Sequence, residues 1–482
     1  MTKDLTHGNE FKHILFFSIP LILGQFFQQL YNMVDRIVVG RYVGEDAIGA
    51  VGTSFPIIFF TTSLIMGIGM GATTVISQLY GARQYERLKR AVSTTLIFLG
   101  AASVAVGIIG FFIARPLLIL LKVDSAILDD ATIYLQIIFI GTPGSVLYNA
   151  YASLLRGLGN SKIPMVFLII ATLTNIALDL FFVLAFGWGV FGVTVATIIS
   201  QLLSAVLSVL YVYKRVDFLK VGKGEWVFDR ELFVKSVKLG IPSGIQQTIL
   251  SIGFMSIQGL VNSYGKVMTS SITIASTIET IGTLPIMNIG LALMPFTGQN
   301  VGAGKLDRVR KGFHAALILN VIIYVVTVSL IYILSHPLIR LFMPADADPS
   351  KMEQIVAYSQ GYIAFVMFFI ILMGIMFSVN SLLRGAGDVM IPLYTSIIAL
   401  TVRVVSAYVM SGIPAISYKA LWYSLPIGWV ISTTISTCRY LSGKWKTKSV
   451  VRGLTPVVES DAGEITESLV QDAADTGDNP SA

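Results

Sequence analysis

The chain of 482 residues has one cysteine, Cys438, and four histidines, His7, His13, His314 and His336. A lone cysteine excludes an intramolecular disulfide framework and a cysteine-cluster metal site. The histidines are scattered, without the spacing that metal ligands need. Charge is scarce as well. Asp, Glu, Lys and Arg make up 13% of the chain, against roughly 25% in soluble domains. With 54% hydrophobic residues, that scarcity excludes both an ordinary water-soluble domain and a disordered chain. No Gly-x-x-x-x-Gly-Lys-Ser/Thr loop, zinc-ligand motif or Gly-x-Ser-x-Gly elbow occurs, so neither an ATP engine nor an intramembrane enzyme is indicated.

What the chain does have is long apolar runs. They fall at about 14–39, 54–79, 92–114, 131–154, 165–187, 188–213, 239–262, 271–298, 315–335, 358–382, 393–411 and 416–441. Lipid offers no partner to unpaired backbone groups, and the runs are too long and continuous for barrel strands, so they read as helices. The first run is too long for a signal segment and lacks a small-residue cleavage site, so it reads as a retained span. The expectation is an all-α integral membrane protein of twelve transmembrane helices. Gly67-Ile-Gly69-Met-Gly71 reads as a small-residue packing face of the second span, not a nucleotide fingerprint.

Basic residues set the orientation. With the first residue inside and alternating sides, 25 Lys and Arg fall in inside segments and 7 in outside segments, Arg36 and Arg403 lying within spans. That bias predicts both termini in the cytoplasm of a multi-pass protein of the cytoplasmic (inner) membrane. It also accounts for the net charge of +7 without nucleic acid. From Gly453 onward there are seven acidic residues and no basic one, the composition of a disordered tail.

The two halves repeat. Ser18-Ile-Pro20 answers Gly240-Ile-Pro242. Gln78-Leu-Tyr-Gly81-Ala82 answers Gln299-Asn-Val-Gly302-Ala303, 221 residues on. Leu-Arg156-Gly157-Leu-Gly159-Asn160 answers Leu-Arg384-Gly385-Ala-Gly387-Asp388, at 228. Six spans per half put both halves in the membrane the same way round, related by an axis along the membrane normal. The predicted domains are a six-helix lobe at 1–213, a cytoplasmic linker at 214–238, a second six-helix lobe at 239–442 and a cytoplasmic tail at 443–482. Two like lobes facing one another can rock about a central cavity, the architecture of alternating access.

Polar residues inside apolar spans are expensive and so mark function. Gln25, Gln28, Asn32 and Asp35 recur at steps of three and four on the first span, one helical face that should look into a cavity. Pro20 should bend that helix. Asn175 and Asp179 share a face of the fifth span, and Thr197 enters on the sixth. At 1.5 Å per residue these groups lie at similar depth in the outer half of the first lobe. Two carboxylates in a dry pocket favour a bound proton or a hard cation, through desolvation and mutual repulsion. The second half carries Gln247, Gln258 and Asn262 on a comparable stripe, yet Ile257 stands where Asp35 would recur. Glu279 lies within the eighth span and Arg403 in the eleventh, so Glu279 draws a cationic substrate, takes part in coupling, or pairs with Arg403. Gln28, Tyr31 and Asn149 are candidates for cavity lining or for hydrogen bonds between helices.

The repeated Leu-Arg-Gly-x-Gly-Asn/Asp and Gln-x-x-Gly-Ala motifs, the Asp ending the first span and Ile278-Glu279 resemble the multidrug and toxic compound extrusion (MATE) family over about residues 11–442. Asp35, Asn175, Asp179, Thr197 and Pro20 match by type and spacing the pattern of its DinF-like, MepA-like bacterial branch. The resemblance implies a secondary antiporter that exports amphipathic or cationic small molecules in exchange for H⁺ or Na⁺, with Asp35, Asn175, Asp179 and Thr197 as the coupling set and a possible Na⁺ site. It implies no cofactor, a small-molecule substrate and a monomer in the bilayer. The alternative is a flippase for lipid-linked saccharides, which should carry more basic residues in its spans than Arg36 and Arg403.

Overall fold

The computed structural model describes residues 3–222, 224–343 and 348–451. The acidic stretch read as a disordered tail lies outside the described residues. Twelve long α-helices account for nearly all of what is described, with no strand among the described residues. They are α1 (Glu10–Val38), α2 (Glu45–Gly81), α3 (Tyr85–Leu120), α4 (Leu128–Gly157), α5 (Lys162–Leu180) and α6 (Gly189–Arg215), then α7 (Arg230–Ser263), α8 (Lys266–Gly302), α9 (Leu306–Leu341), α10 (Pro349–Ala386), α11 (Met390–Ser411) and α12 (Ala420–Leu441). Several exceed the apolar runs that announce them. The 37 residues of α2 make about 55 Å at 1.5 Å each, against a hydrocarbon core of roughly 30 Å, so its ends project.

Ten of the helices are long and apolar enough to cross a membrane. The other two, α7 and α12, are long enough but more polar. The first turns of α7 hold Arg230, Glu231, Lys235 and Lys238, and α12 holds Ser432, Thr433, Thr434, Ser436 and Thr437. Local chemistry fixes several starts. Asn9 caps α1 by accepting from the Lys12 backbone N–H at 3.0 Å, and Asp229 caps α7 through the N–H groups of Glu231 and Leu232. Asp348 caps α10, with Pro349 at the first helical position.

The packing repeats as the sequence does. In the first lobe α4 packs on α2, α3 and α6, while α5 packs on α1 and α6; in the second lobe α10 packs on α8, α9 and α12, while α11 packs on α7 and α12. Between lobes the pairing is reciprocal, with α1 against α8 and α7 against α2, as a two-fold relation demands. The packing face read from Gly67-Ile-Gly69-Met-Gly71 is used here. A Cβ on Gly67 would lie 2.3 Å from the Gly244 nitrogen, and one on Gly71 2.4 Å from the Ser236 oxygen, so two backbones meet where only glycine fits.

The segments before α1 and after α12 lie at one end of the bundle, here called proximal. Part of the stretch placed in the tail by sequence is ordered there. Residues 444–447 form a short 3-10 turn, Trp445 is 1% exposed, and the Val450 N–H donates to Gln78 Oε1 at 2.7 Å. The apolar indole and the satisfied backbone bond hold this stretch on the bundle despite its lysines. The linker is docked too. Its Val227 N–H donates to Ser93 Oγ and its Asp229 N–H to Thr94 Oγ1, both at 2.9 Å.

Candidate functional site

Four helices of the first lobe bring polar groups together in its distal half. Tyr31 and Asp35 are one turn apart on α1. Asn175 and Asp179 come from α5, Thr197 from α6 and Tyr134 from α4. Asn175 and Asp179 are fully buried and Thr197 is nearly so. Asn175 Nδ2 donates to Asp179 Oδ1 at 3.3 Å, and the hydroxyls of Tyr31 and Thr197 share a hydrogen bond of 3.1 Å. Asp35 and Asp179 lie within electrostatic reach of each other, and Tyr31 and Tyr134 within reach of both.

The cluster is short of hydrogen-bond donors. Asp35 Oδ1, Asp179 Oδ2 and Asn175 Oδ1 are buried and have no hydrogen-bond partner among the described residues. Leaving an ionised carboxylate oxygen dry and unpaired is strongly unfavourable. The oxygens therefore suit a species that supplies positive charge: a proton shared into the pair, or a hard cation that takes oxygen ligands.

The backbone around the site departs from regular helix. Beyond Asp35, α1 widens into a π-helical turn at Val39–Val43, and beyond Asp179, α5 does the same at Phe181–Ala185. Such turns recur at functional sites, and these two touch each other. Val38, Val39, Ala47, Val183, Val190 and Val193 form an apolar cluster there, with Tyr134 against it. This cluster covers the distal side of the carboxylates and lowers the local dielectric, which strengthens every charge interaction beneath it.

The second lobe does not repeat this chemistry. Ile257, the counterpart of Asp35, is 5% exposed within an apolar core. Its acid is Glu279 on α8, which accepts a hydrogen bond of 2.6 Å from the Tyr362 hydroxyl of α10. Arg403 lies within electrostatic reach of that pair. The partner read for Glu279 from sequence was Arg403 alone; the structure adds Tyr362, itself packed edge-on against Trp422 at 6.0 Å.

The remaining sequence candidates are dispersed. Gln28 is exposed on α1. The Asn149 amide donates within its own helix to the Ser145 oxygen at 2.9 Å. Pro20 lies within the unbroken span of α1. Tyr134, Tyr362 and the two π-helical turns were not foreseen, because a single tyrosine in an apolar span has no pattern to betray it.

The family profile named MatE matches residues 20–181 and 242–409, one stretch in each lobe. "Probable multidrug resistance protein YoeA" of Bacillus subtilis is 30% identical over 461 residues, covering 94% of this chain and 98% of its own. "Probable multidrug resistance protein YpnP" of the same organism is 30% identical over 447 residues, covering 92% and 97%. Among solved structures, a MOP superfamily transporter from Pyrococcus furiosus superposes with a TM-score of 0.84 at 22% identity, covering 93% of this chain and 98% of that one.

Proposed function

The chain belongs to the multidrug and toxic compound extrusion family, and on that premise we propose that it is a secondary antiporter, exporting amphipathic, cationic small molecules across the cytoplasmic membrane in exchange for H⁺ or Na⁺. It is a multi-pass membrane transporter and not an enzyme. The observation that carries the proposal is that Asp35 and Asp179, within electrostatic reach of each other, leave three buried acceptor oxygens without a hydrogen-bond partner among the described residues: one on each carboxylate and one on Asn175.

The excess of basic residues at the proximal end makes that end cytoplasmic. The lobes are in close contact there, so the described state faces outward, where a coupling ion arrives. Empty, the site holds two repelling carboxylates; loaded, the ion neutralises them and relieves the unpaired oxygens. The ion thus binds one arrangement of α1 and α5 better than another, and that difference shifts the population of states. Tyr31 and Thr197 tie α1 to α6, which links site occupancy to the position of α1. Glu279, on the facing lobe, supplies a negative group for a cationic substrate. The driving force is about 1.4 kcal/mol per pH unit and about 2.3 kcal/mol per charge for each 100 mV.

The test is export from proteoliposomes of the purified protein under a pH gradient alone and under a Na⁺ gradient alone. One gradient should drive efflux of a lipophilic cation, and Asp35→Asn should abolish it with thermal unfolding unchanged. Full-rate, gradient-driven export in that variant would sink the coupling assignment.

A further inference from the structure

The proximal end contains two matching slots, each built from a glutamine of one lobe and a left-handed glycine of the other. In the first, Gln299 Nε2 donates to the Gly157 oxygen at 3.0 Å, joining α8 to the end of α4. In the second, Gln78 Nε2 donates to the Gly385 oxygen at 2.8 Å, joining α2 to the end of α10. Gln78 and Gln299 are repeat equivalents, as are Gly157 and Gly385. Each amide therefore uses an N–H to close the lobes and leaves its oxygen to accept from something else.

That oxygen is filled in both slots, and by unrelated sequences. The Leu5 N–H donates to Gln299 Oε1 at 2.8 Å, and the Val450 N–H to Gln78 Oε1 at 2.7 Å. Two residues before each donor, a backbone oxygen lies over the glycine of the slot. A Cβ on Gly159 would be 2.2 Å from the Lys3 oxygen, and one on Gly387 2.4 Å from the Lys448 oxygen. Both glycines have positive φ, +78° and +97°, so both are required twice over. The segment before α1 belongs to the first lobe and reaches the glutamine of the second. The segment after α12 belongs to the second lobe and reaches the glutamine of the first. Two unlike segments with the same two-residue register indicate that the slot recognises backbone groups, a carbonyl over the glycine and an N–H on the glutamine, to which the Ser449 hydroxyl adds a bond of 3.1 Å on Gln78 Oε1 in the second slot.

We propose that these two slots are latches: each captures the backbone of a terminal segment only while the lobes are closed proximally, so that release of the segments and opening of that end are one event. The glutamine makes the coupling physical. If the lobes part, its amide loses the opposing glycine oxygen and swings freely, and the slot for the segment no longer exists. The segments therefore favour the outward-facing state, and their binding sets how often the cytoplasmic end opens. The proposal rests on the alternating-access reading above, but its test uses neither substrate nor gradient, so its failure leaves the ion assignment untouched.

Hydrogen exchange read by mass spectrometry on the full chain in nanodiscs tests it. In the unaltered protein, the Leu5 and Val450 amides should exchange at the same rate as the proximal ends of α2 and α8, within about threefold. Gln299→Met keeps the side-chain length but removes both of its hydrogen bonds. It should speed exchange about tenfold at Leu5 and equally at Val450, which sits in the other slot; Gln78→Met should do the same in reverse. Acceleration confined to the altered slot would overturn the proposal. So would exchange at Leu5 or Val450 more than a hundredfold faster than the helix ends in the unaltered protein, a result that needs no variant to fold.

Discussion

Replacing Gly81 by alanine asks whether the proximal contact is one of two working states or inert packing. Gly81 ends α2, and a Cβ there would lie 1.9 Å from the Gln299 oxygen, with the next two atoms also Gln299 backbone. Backbone cannot swing aside as a side chain can. Relief to an ordinary contact of about 3.4 Å requires the ends of α2 and α8 to separate by about 1.5 Å. The bonds from Gln78 to Gly385 and from Gln299 to Gly157, now 2.8 and 3.0 Å, would pass beyond hydrogen-bond reach. At about 1 kcal/mol each, their loss disfavours the closed state by about 2 kcal/mol, roughly thirtyfold in population. The assay is alkylation of a cysteine at Thr74, 1% exposed and hydrogen-bonded across the lobes to the Arg384 oxygen, in a Cys438→Ser background. Gly81→Ala should speed alkylation roughly thirtyfold with little change in Tm, because open and closed states are both folded. Gly100→Ala, where a Cβ meets nothing within 4 Å, should leave the rate unchanged. A fall in Tm without faster alkylation would mean that Gly81 serves only to hold the fold, and the reasoning would be wrong.

Two further predictions concern the second lobe. Glu279→Gln should weaken binding of a monovalent lipophilic cation about tenfold, the scale of one partly screened charge contact, while a neutral amphiphile of like size binds as before; equilibrium dialysis in detergent separates the two outcomes, and equal effects on both would remove Glu279 from substrate recognition. Arg439→Met should lower stability by about 3 kcal/mol, since Asp388, 5% exposed and bonded to Arg439 Nε at 2.6 Å, would be left as a buried unpaired carboxylate; thermal unfolding measures the loss, and adding Asp388→Asn should restore most of it.

Much of this was legible in the sequence because membranes impose simple rules. Apolar runs located all twelve helices, although the helices outrun them wherever their ends leave lipid, as α2 does. Spacing of four put Asn175 with Asp179 on one helical face, and the repeat disclosed the lobes. The stripe read with Asp35 is Gln25, Gln28 and Asn32, which are exposed, whereas Tyr31, read only as a candidate for cavity lining, is the residue that joins the site. What stayed hidden depended on long-range geometry. Tyr134 joins the carboxylates only because α4 happens to pass them. Tyr362 meets Glu279 from a helix 83 residues away in sequence. The π-helical turns after Asp35 and Asp179 leave no compositional mark. The segment around Val450 reads as the start of a polar tail, since its burial rests on Trp445 and a backbone bond to Gln78, neither of which periodicity can report.

The two ends of the bundle follow different rules, and the contrast explains how a duplicated chain can do directional work. At the proximal end the lobes must seal against each other, and a two-fold contact between like lobes is satisfied by equivalent residues: Gln78 with Gln299, Gly81 with Gly302, Gly157 with Gly385. Any change there is felt by both sides of the seal, so sequence identity between the repeats survives. At the distal end each lobe carries its own chemistry. The first keeps Asp35 and Asp179 beneath an apolar cover; the second puts Ile257 where Asp35 would be and offers Glu279 with Tyr362 instead. A pair of identical distal sites would bind the same species on both lobes and give no exchange. On the proposed antiport reading, symmetry at the seal with asymmetry at the distal end is what would let one rocking motion carry an ion one way and a different cargo the other.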